Sequence, residues 1–443
     1  MADELAPDPG LTAVERRAPF SSNPAVGTRG RRAQQRILDA ALQVFAEVGY
    51  HRCGVSRITE VAGCSRASFY QYFSSREDVF RHLAGQVARQ LTASAEALDP
   101  ITPDQPGWTT LRDWIERHAA IYERYEPVFR VFQSAAASDD VVATGSARTG
   151  ARDVAIAQAK LTSTTLPNRH VSDVMALLLN VMSWSPRLVQ VLRSALPASS
   201  LPQERMVTAL TDVTHRTMFG LRDGVNVRPG PKHRLPRVRG GEALLKRLQT
   251  ESVPKDELTP AGIRTLELLV TSARDVLVQR GYHETRVDDI TAAAGLSHGA
   301  FYRYFESRDH IIRLVAVRAM REVAETFDNI PDVAGQPVTS SVALRQWLRR
   351  YNATQAAQSA MIRVWVDATA DDPLLEIESA AALDWGRQRL VRFLRPRGFG
   401  DVEADALLMI PLLDATSGTR SLPVNVDAAA LVIERGMLGF GPS

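Results

Sequence analysis

Ser65, Arg66, Ala67 and Ser68, followed by Tyr70, Gln71 and Tyr72, place a guanidinium, an amide and several hydroxyls within two helical turns. A guanidinium fork at the start of a short helix matches the O6 and N7 acceptors of guanine. Such a bidentate pair is worth about 1–3 kcal/mol against the wrong base. The hydroxyls of Tyr70 and Tyr72 suit phosphate oxygens, which fix position but carry no sequence information. Ser75 is placed to cap a following helix, and Arg76 at that helix start to add a phosphate contact. Further along, the equivalent positions are Ser297, His298, Gly299, Ala300, Tyr302, Arg303, Tyr304 and Arg308, so two surfaces of one design would read different bases.

These side chains need elements to hold them. Over 32–48, Ile37, Ala40, Ala41, Val44, Phe45 and Val48 recur at three- and four-residue steps, which predicts an amphipathic helix closed by Gly49. A short helix is expected over 55–62, a turn at Gly63-Cys64-Ser65, and a second short helix over 66–73. Together they form a helix-turn-helix whose second helix enters the major groove. Ile58, Ala62, Phe69 and Phe73 are its expected core.

Residues 49–76 align without gaps on 281–308, with 15 identities in 28 positions at an offset of 232. Leu111-Arg112-Asp113-Trp114 against Leu344-Arg345-Gln346-Trp347, and Phe129-Arg130-Val131-Phe132 against Ile362-Arg363-Val364-Trp365, continue the match at 233. A whole unit is therefore duplicated. At 443 residues the chain exceeds what one core usually supports, and 45% hydrophobic with 23% charged residues is globular composition. The charge is uneven: Arg29 to Arg76 contains eight arginines against three acids, whereas residues 261–308 carry six of each. Counterion release then favours the first surface. Arg29, Arg31 and Arg32 are placed to act as an arm beside it. A second basic stretch, 228–247, either serves the other surface in the same way or is a solvated linker.

The runs Ile58-Thr59-Glu60-Val61-Ala62-Gly63 and Phe69-Tyr70-Gln71-Tyr72-Phe73-Ser74-Ser75-Arg76, and again 290–308, resemble the TetR family of bacterial regulators. The likeness covers about 50 residues in each half; Arg76 and Arg308 stand where lysine is more usual in that family. It implies an all-α chain of two tandem TetR-like units, each a three-helix DNA-binding domain followed by a helical ligand-binding and pairing domain. The expected boundaries are a disordered leader (1–28), a first head (29–78), a first body (79–224), a basic linker (225–258), a second head (259–310) and a second body (311–443). The resemblance further implies a repressor of double-stranded operator DNA, released by a small-molecule effector. Family members pair through their last two helices, here 171–192 with 203–221 and 403–417 with 426–437. The partnership is either an intrachain pseudo-dimer, which calls for an asymmetric operator, or a homodimer. The alternative is a helical sensor or interaction protein in which only the first head binds DNA and the second serves pairing.

For the effector, the aromatic candidates are Trp114, Tyr122, Phe129, Phe132 and Trp184 in the first body, and Trp347, Tyr351, Trp365, Trp385 and Phe393 in the second. An apolar or aromatic ligand follows, though aromatics at helical spacing are core by default. No glycine-rich phosphate loop, nucleophile elbow or His-Glu-x-x-His pair is present, so no catalysis, metal or cofactor is expected. Cys53 and Cys64 are too few for a disulfide framework and read as small hydrophobes rather than oxidant sensors. No apolar run approaches the roughly 20 residues of a membrane span, and no signal pattern opens the chain, so a cytoplasmic location is expected.

Overall fold

The computed structural model describes residues 27–138, 140–197, 200–231, 258–332, 337–369, 373–416 and 425–441. Among these, every regular element is a helix, and the β-bridges found are isolated ones. The expected leader and basic linker fall for the most part outside the described residues. Contacts divide the chain into two compact units, Met1–Gln86 and Val87–Ser443.

The first unit holds α1 (Thr28–Val48), α2 (Val55–Ala62), α3 (Arg66–Tyr72) and the start of α4 (Arg76–Glu96). The apolar stripe of α1 buries Ile37, Leu38, Ala41, Val44 and Phe45. Gly49 ends that helix at φ 79°, ψ 154°, an extended positive-φ conformation that only glycine adopts readily. Gly63 ends α2 in the left-handed region at φ 60°, where its amide and that of Cys64 close on the carbonyls of Glu60 and Thr59. Phe45, Ile58, Phe69, Phe73 and Phe80 then meet in a core where none is more than 2% exposed.

In the second unit, the first body comprises α5 (Gln105–Arg124), α6 (Glu126–Ser138), α7 (Asp140–Lys160), α8 (Asn168–Ala195) and α9 (Gln203–Phe219). The second head follows as α10 (Pro260–Glu284), broken at Gly281, then α11 (Val287–Ala294) and α12 (His298–Phe301). The second body comprises α13 (Arg308–Asp328), α14 (Pro337–Thr369), α15 (Pro373–Leu394), α16 (Val402–Ala415) and α17 (Val426–Leu431), which continues as a wider turn over Val432–Met437. The second head shares its core with its own body: Leu269, Ile290, Phe301 and Phe305 pack in one cluster with Val364 and Trp365.

The last two helices of each body pack together. α8 lies on α16 and α9 on the end of α17, with crossed contacts between α9 and α16 and between α8 and α17. One apolar cluster runs through all four, from Leu178 and Val207 to Leu407 and Ile433. The polar contacts are reciprocal: Arg216 Nε donates to Gly436 O at 2.6 Å, and Arg435 Nε donates to Thr217 O at 3.0 Å. At an offset of 219, Arg216 corresponds to Arg435 and Thr217 to Gly436, so each contact is the image of the other, as in an isologous interface. The backbones approach closely at Gly436, where a Cβ would stand 2.8 Å from Val213 O. Charge breaks the symmetry. Arg216 also reaches Asp405 Oδ2 at 3.2 Å, and Arg397 meets the same oxygen at 2.6 Å, whereas Arg435 turns to Thr165 Oγ1. Nearer solvent, Arg205 pairs bidentately with Asp401 at 2.8 and 3.0 Å.

By length and composition α8 is apolar enough to cross a membrane, although half of its most apolar stretch is buried inside the protein. It packs on α5, α7, α9, α16 and α17, which accounts for its apolar character as a core helix.

Candidate nucleic-acid interface

Ser65 accepts a hydrogen bond from the Ser68 amide at 3.0 Å and so caps α3. The cap fixes the first turn, where Arg66 and Ala67 are exposed while Phe69 beneath them is buried. Gln71 is also exposed, and Ser68, Tyr70 and Tyr72 are half-buried. Arg29, Arg31, Arg32 and Arg36 are exposed along the first turns of α1. Buried aromatics thus anchor one side of α3 and leave the other open.

The second head repeats the cap, with Ser297 accepting from the Ala300 amide at 3.3 Å. Its helix is one turn long, against two for α3. Gly299 stands where the first head has Ala67, and glycine costs about 1 kcal/mol of helix propensity relative to alanine. Ser297, His298, Tyr302 and Arg303 are exposed and Tyr304 is half-buried. His298 Nε2 lies 2.9 Å from Asp288 Oδ1, so an acid stands against the reading turn.

Arg76 and Arg308 do not face outward as the sequence suggested. Arg76 lies over the Tyr50 ring, 4.4 Å from its centroid, and its Nη1 donates to the carbonyls of Tyr50, His51 and Cys53 at 3.0–3.2 Å. Its Nε and Nη2 reach Glu77. Arg308 does the same over Tyr282, donating to Tyr282 O and Thr285 O. A planar fork can satisfy several orphan carbonyls of one turn, which makes each arginine a clamp on its own head. Arg76→Ala is therefore expected to cost about 2 kcal/mol of stability in the first head, read as an earlier urea midpoint; an unchanged midpoint contradicts the clamp. Burial pushes the Cys53 thiol up to about 11 and also raises Cys64, so neither carries the thiolate that oxidant sensing needs.

The aromatic effector candidates are mostly core. Trp347, Tyr351 and Trp385 close edge-on around Phe327 at 5.6–6.3 Å, and Trp347 Nε1 donates to Thr326 O. Trp365 Nε1 donates to Ser379 Oγ, beneath the second head. Trp114 is buried, Phe129 stacks on Tyr122 at 4.7 Å, and Phe132 and Trp184 are half-buried. Phe393 lines a shallow, polar-rimmed hollow with Phe327 and Arg392. Tyr122 differs from the rest. It lines a cavity of about 150 Å³ between α5, α8 and α9, walled by Ile115, Met182, Val189, Met206 and Leu210. The methionines and valines of that wall carry no signal in sequence beyond helical periodicity.

Sequence reasoning also missed Trp108, whose Nε1 donates to Asp212 Oδ1 at 2.8 Å beneath the Arg228 guanidinium. It is a structural group rather than a ligand contact. One turn from Tyr122, His118 is fully buried against Ser183, which holds its pKa down to about 4. Because the folded value lies below the unfolded one of about 6.5, its contribution to stability is full above that pH and is lost as pH falls toward 4. From pH 7 to 4, the wild type should lose roughly 3 kcal/mol more stability than His118→Gln. An equal loss in paired denaturation curves contradicts this. No cluster of metal-ligating side chains occurs among the described residues.

Two capped helix-turn-helix heads, each followed by a helical body, define a tandem helix-turn-helix protein. Residues 37–83 and 269–315 each match the model of bacterial regulatory proteins of the tetR family. Both matches cover a head and the start of the next helix, and they support a tandem of two TetR-like units. Among curated relatives, it is 30% identical over 114 residues to the HTH-type transcriptional repressor AcnR of Corynebacterium glutamicum, covering 24% of this chain and 58% of that protein. The AcnR of Corynebacterium diphtheriae is 33% identical over 116 residues, 25% of this chain and 59% of that protein. The fatty acid metabolism regulator protein of Bacillus subtilis is 39% identical over 59 residues, 12% of this chain and 30% of that protein. The chain thus spans a little over half the length of the two AcnR proteins and about a third of the Bacillus regulator.

Proposed function

We propose that this chain is a cytoplasmic transcriptional repressor that binds double-stranded operator DNA through two unlike heads and is released by a small apolar or aromatic effector. The observation that carries the reading is the first turn of α3, where Arg66 stands exposed on a serine-capped helix whose opposite face is locked by Phe69. The exposed arginines at 29, 31, 32 and 36 add the positive field that draws phosphates. The AcnR proteins, named as repressors, favour repression over activation. The two bodies act as an intrachain pseudo-dimer, a reading supported by the reciprocal Arg216 and Arg435 contacts, and the unlike heads then call for an asymmetric operator.

One observation favours the alternative in which the second head pairs but does not read: α12 is a single turn and its His298 is held by Asp288. Footprinting on a duplex selected from random sequence separates the two. Two dissimilar protected half-sites about one helical turn apart, one weakened by Arg66→Ala and the other by Arg303→Ala, support two reading heads. A single short footprint indifferent to Arg303→Ala supports one.

A further inference from the structure

The cavity of the first body has one feature that packing does not explain. Tyr122 is 2% exposed, yet its hydroxyl has no hydrogen-bond partner among the described residues. A buried, unpaired hydroxyl is costly and usually marks a missing group. Ile115, Ala119, Met182, Val189 and Leu210 form an apolar, buried part of the cavity wall, while Ser185, Gln190, Arg193 and Gln203 add polar groups. At about 150 Å³, the space equals that of an engineered apolar cavity known to take up benzene. Burial raises the Tyr122 pKa, so the hydroxyl stays protonated and able to donate. Of the charged groups that line the cavity, Glu126 is paired with Arg130 at 2.6 Å, and Glu123 and Arg193 carry opposite charges.

The second body differs at the same place. By the 233-residue offset, Ala119 becomes Asn352 and Tyr122 becomes Gln355. Asn352 Oδ1 accepts from Thr416 Oγ1 at 2.6 Å, and Gln355 Nε2 donates to Tyr351 Oη at 2.6 Å. The wall that carries the Tyr122 hydroxyl has been exchanged for two amides, each held by a neighbouring hydroxyl through one atom while Asn352 Nδ2 and Gln355 Oε1 are left unpaired among the described residues.

We infer that the first body alone binds a neutral single-ring ligand bearing a carbonyl or ether oxygen, which accepts the Tyr122 hydroxyl, with one site per chain. This rests on the effector reading only for its consequence at DNA, because binding itself needs no operator.

Calorimetric titration of the full chain, without DNA, with acetophenone and with benzene tests it. Acetophenone is expected to bind at one equivalent per chain. Tyr122→Phe keeps the wall and removes the hydroxyl, so it weakens acetophenone about five- to ten-fold, the worth of one neutral hydrogen bond, and leaves benzene unchanged. Ala119→Phe fills the space and abolishes both, while Gln355→Leu changes neither. Absence of saturable heat from acetophenone, two equivalents per chain, or equal losses for both probes in Tyr122→Phe would overturn the inference. Should Ala119→Phe not fold, the Tyr122→Phe comparison decides alone. A chain that binds acetophenone but no duplex at low salt would refute the regulatory reading and leave this site standing.

Discussion

Asp405→Ala is expected to destabilise the unit Val87–Ser443 by about 3–5 kcal/mol, because it removes the carboxylate that two buried guanidiniums share. Asp405 is fully buried and accepts from Arg216 at 3.2 Å and meets Arg397 at 2.6 Å, both arginines having side chains no more than 1% exposed. Arg216 retains Asp212 at 3.9 Å and the carbonyls of Gly436 and Asn226, whereas Arg397 retains the carbonyls of Phe399 and Met437. The contrast is Arg205→Ala. Its bidentate pair with Asp401 bridges the same helices but is partly in water, and such pairs contribute about 0–1 kcal/mol. Urea midpoints for the two variants should therefore differ widely, and equal midpoints would show that the buried ions do not hold the bodies together.

Arg66→Ala is the second large effect, on DNA rather than on folding. Arg66 is exposed at the start of α3, and neither the cap nor the core of the head uses it. Its loss should leave the urea midpoint unchanged and weaken the best operator by about 1–3 kcal/mol, roughly five- to 150-fold. The loss should be confined to one base position, because a base contact carries sequence information. Removing Arg32 instead should weaken all sequences alike and reduce the salt slope by about one phosphate. Fluorescence-anisotropy titrations against a set of single-base variants distinguish the two patterns. A uniform loss across that set for Arg66→Ala would make it a phosphate contact.

Much of the fold was legible because its signals are local and repeated. Gly49 and Gly63 sit where positive φ is needed, Ser65 sits at a cap, and Phe69 and Phe73 keep helical spacing; each recurs 232 residues on. The pairing helices were located within a few residues, since their apolar runs are long. What was not legible depends on contacts far apart in sequence. The inward turn of Arg76 depends on three carbonyls more than 20 residues away, and nothing in its neighbours signals that direction. Arg216 and Asp405 stand 189 positions apart, and no local pattern in the sequence signals that they meet. Tyr122 was among the aromatic candidates, but nothing in the sequence set it apart from the others. Tryptophans fill space, so Trp347 and Trp385 went to the core, while the cavity formed where smaller side chains left room around Tyr122.

Native mass spectrometry of the chain on a duplex selected from random sequence, at low ionic strength, bears most directly on the claim that one polypeptide supplies both reading heads. Expected is one chain per duplex on an operator whose halves differ. Two chains on a palindrome, or no complex with any duplex, would contradict it.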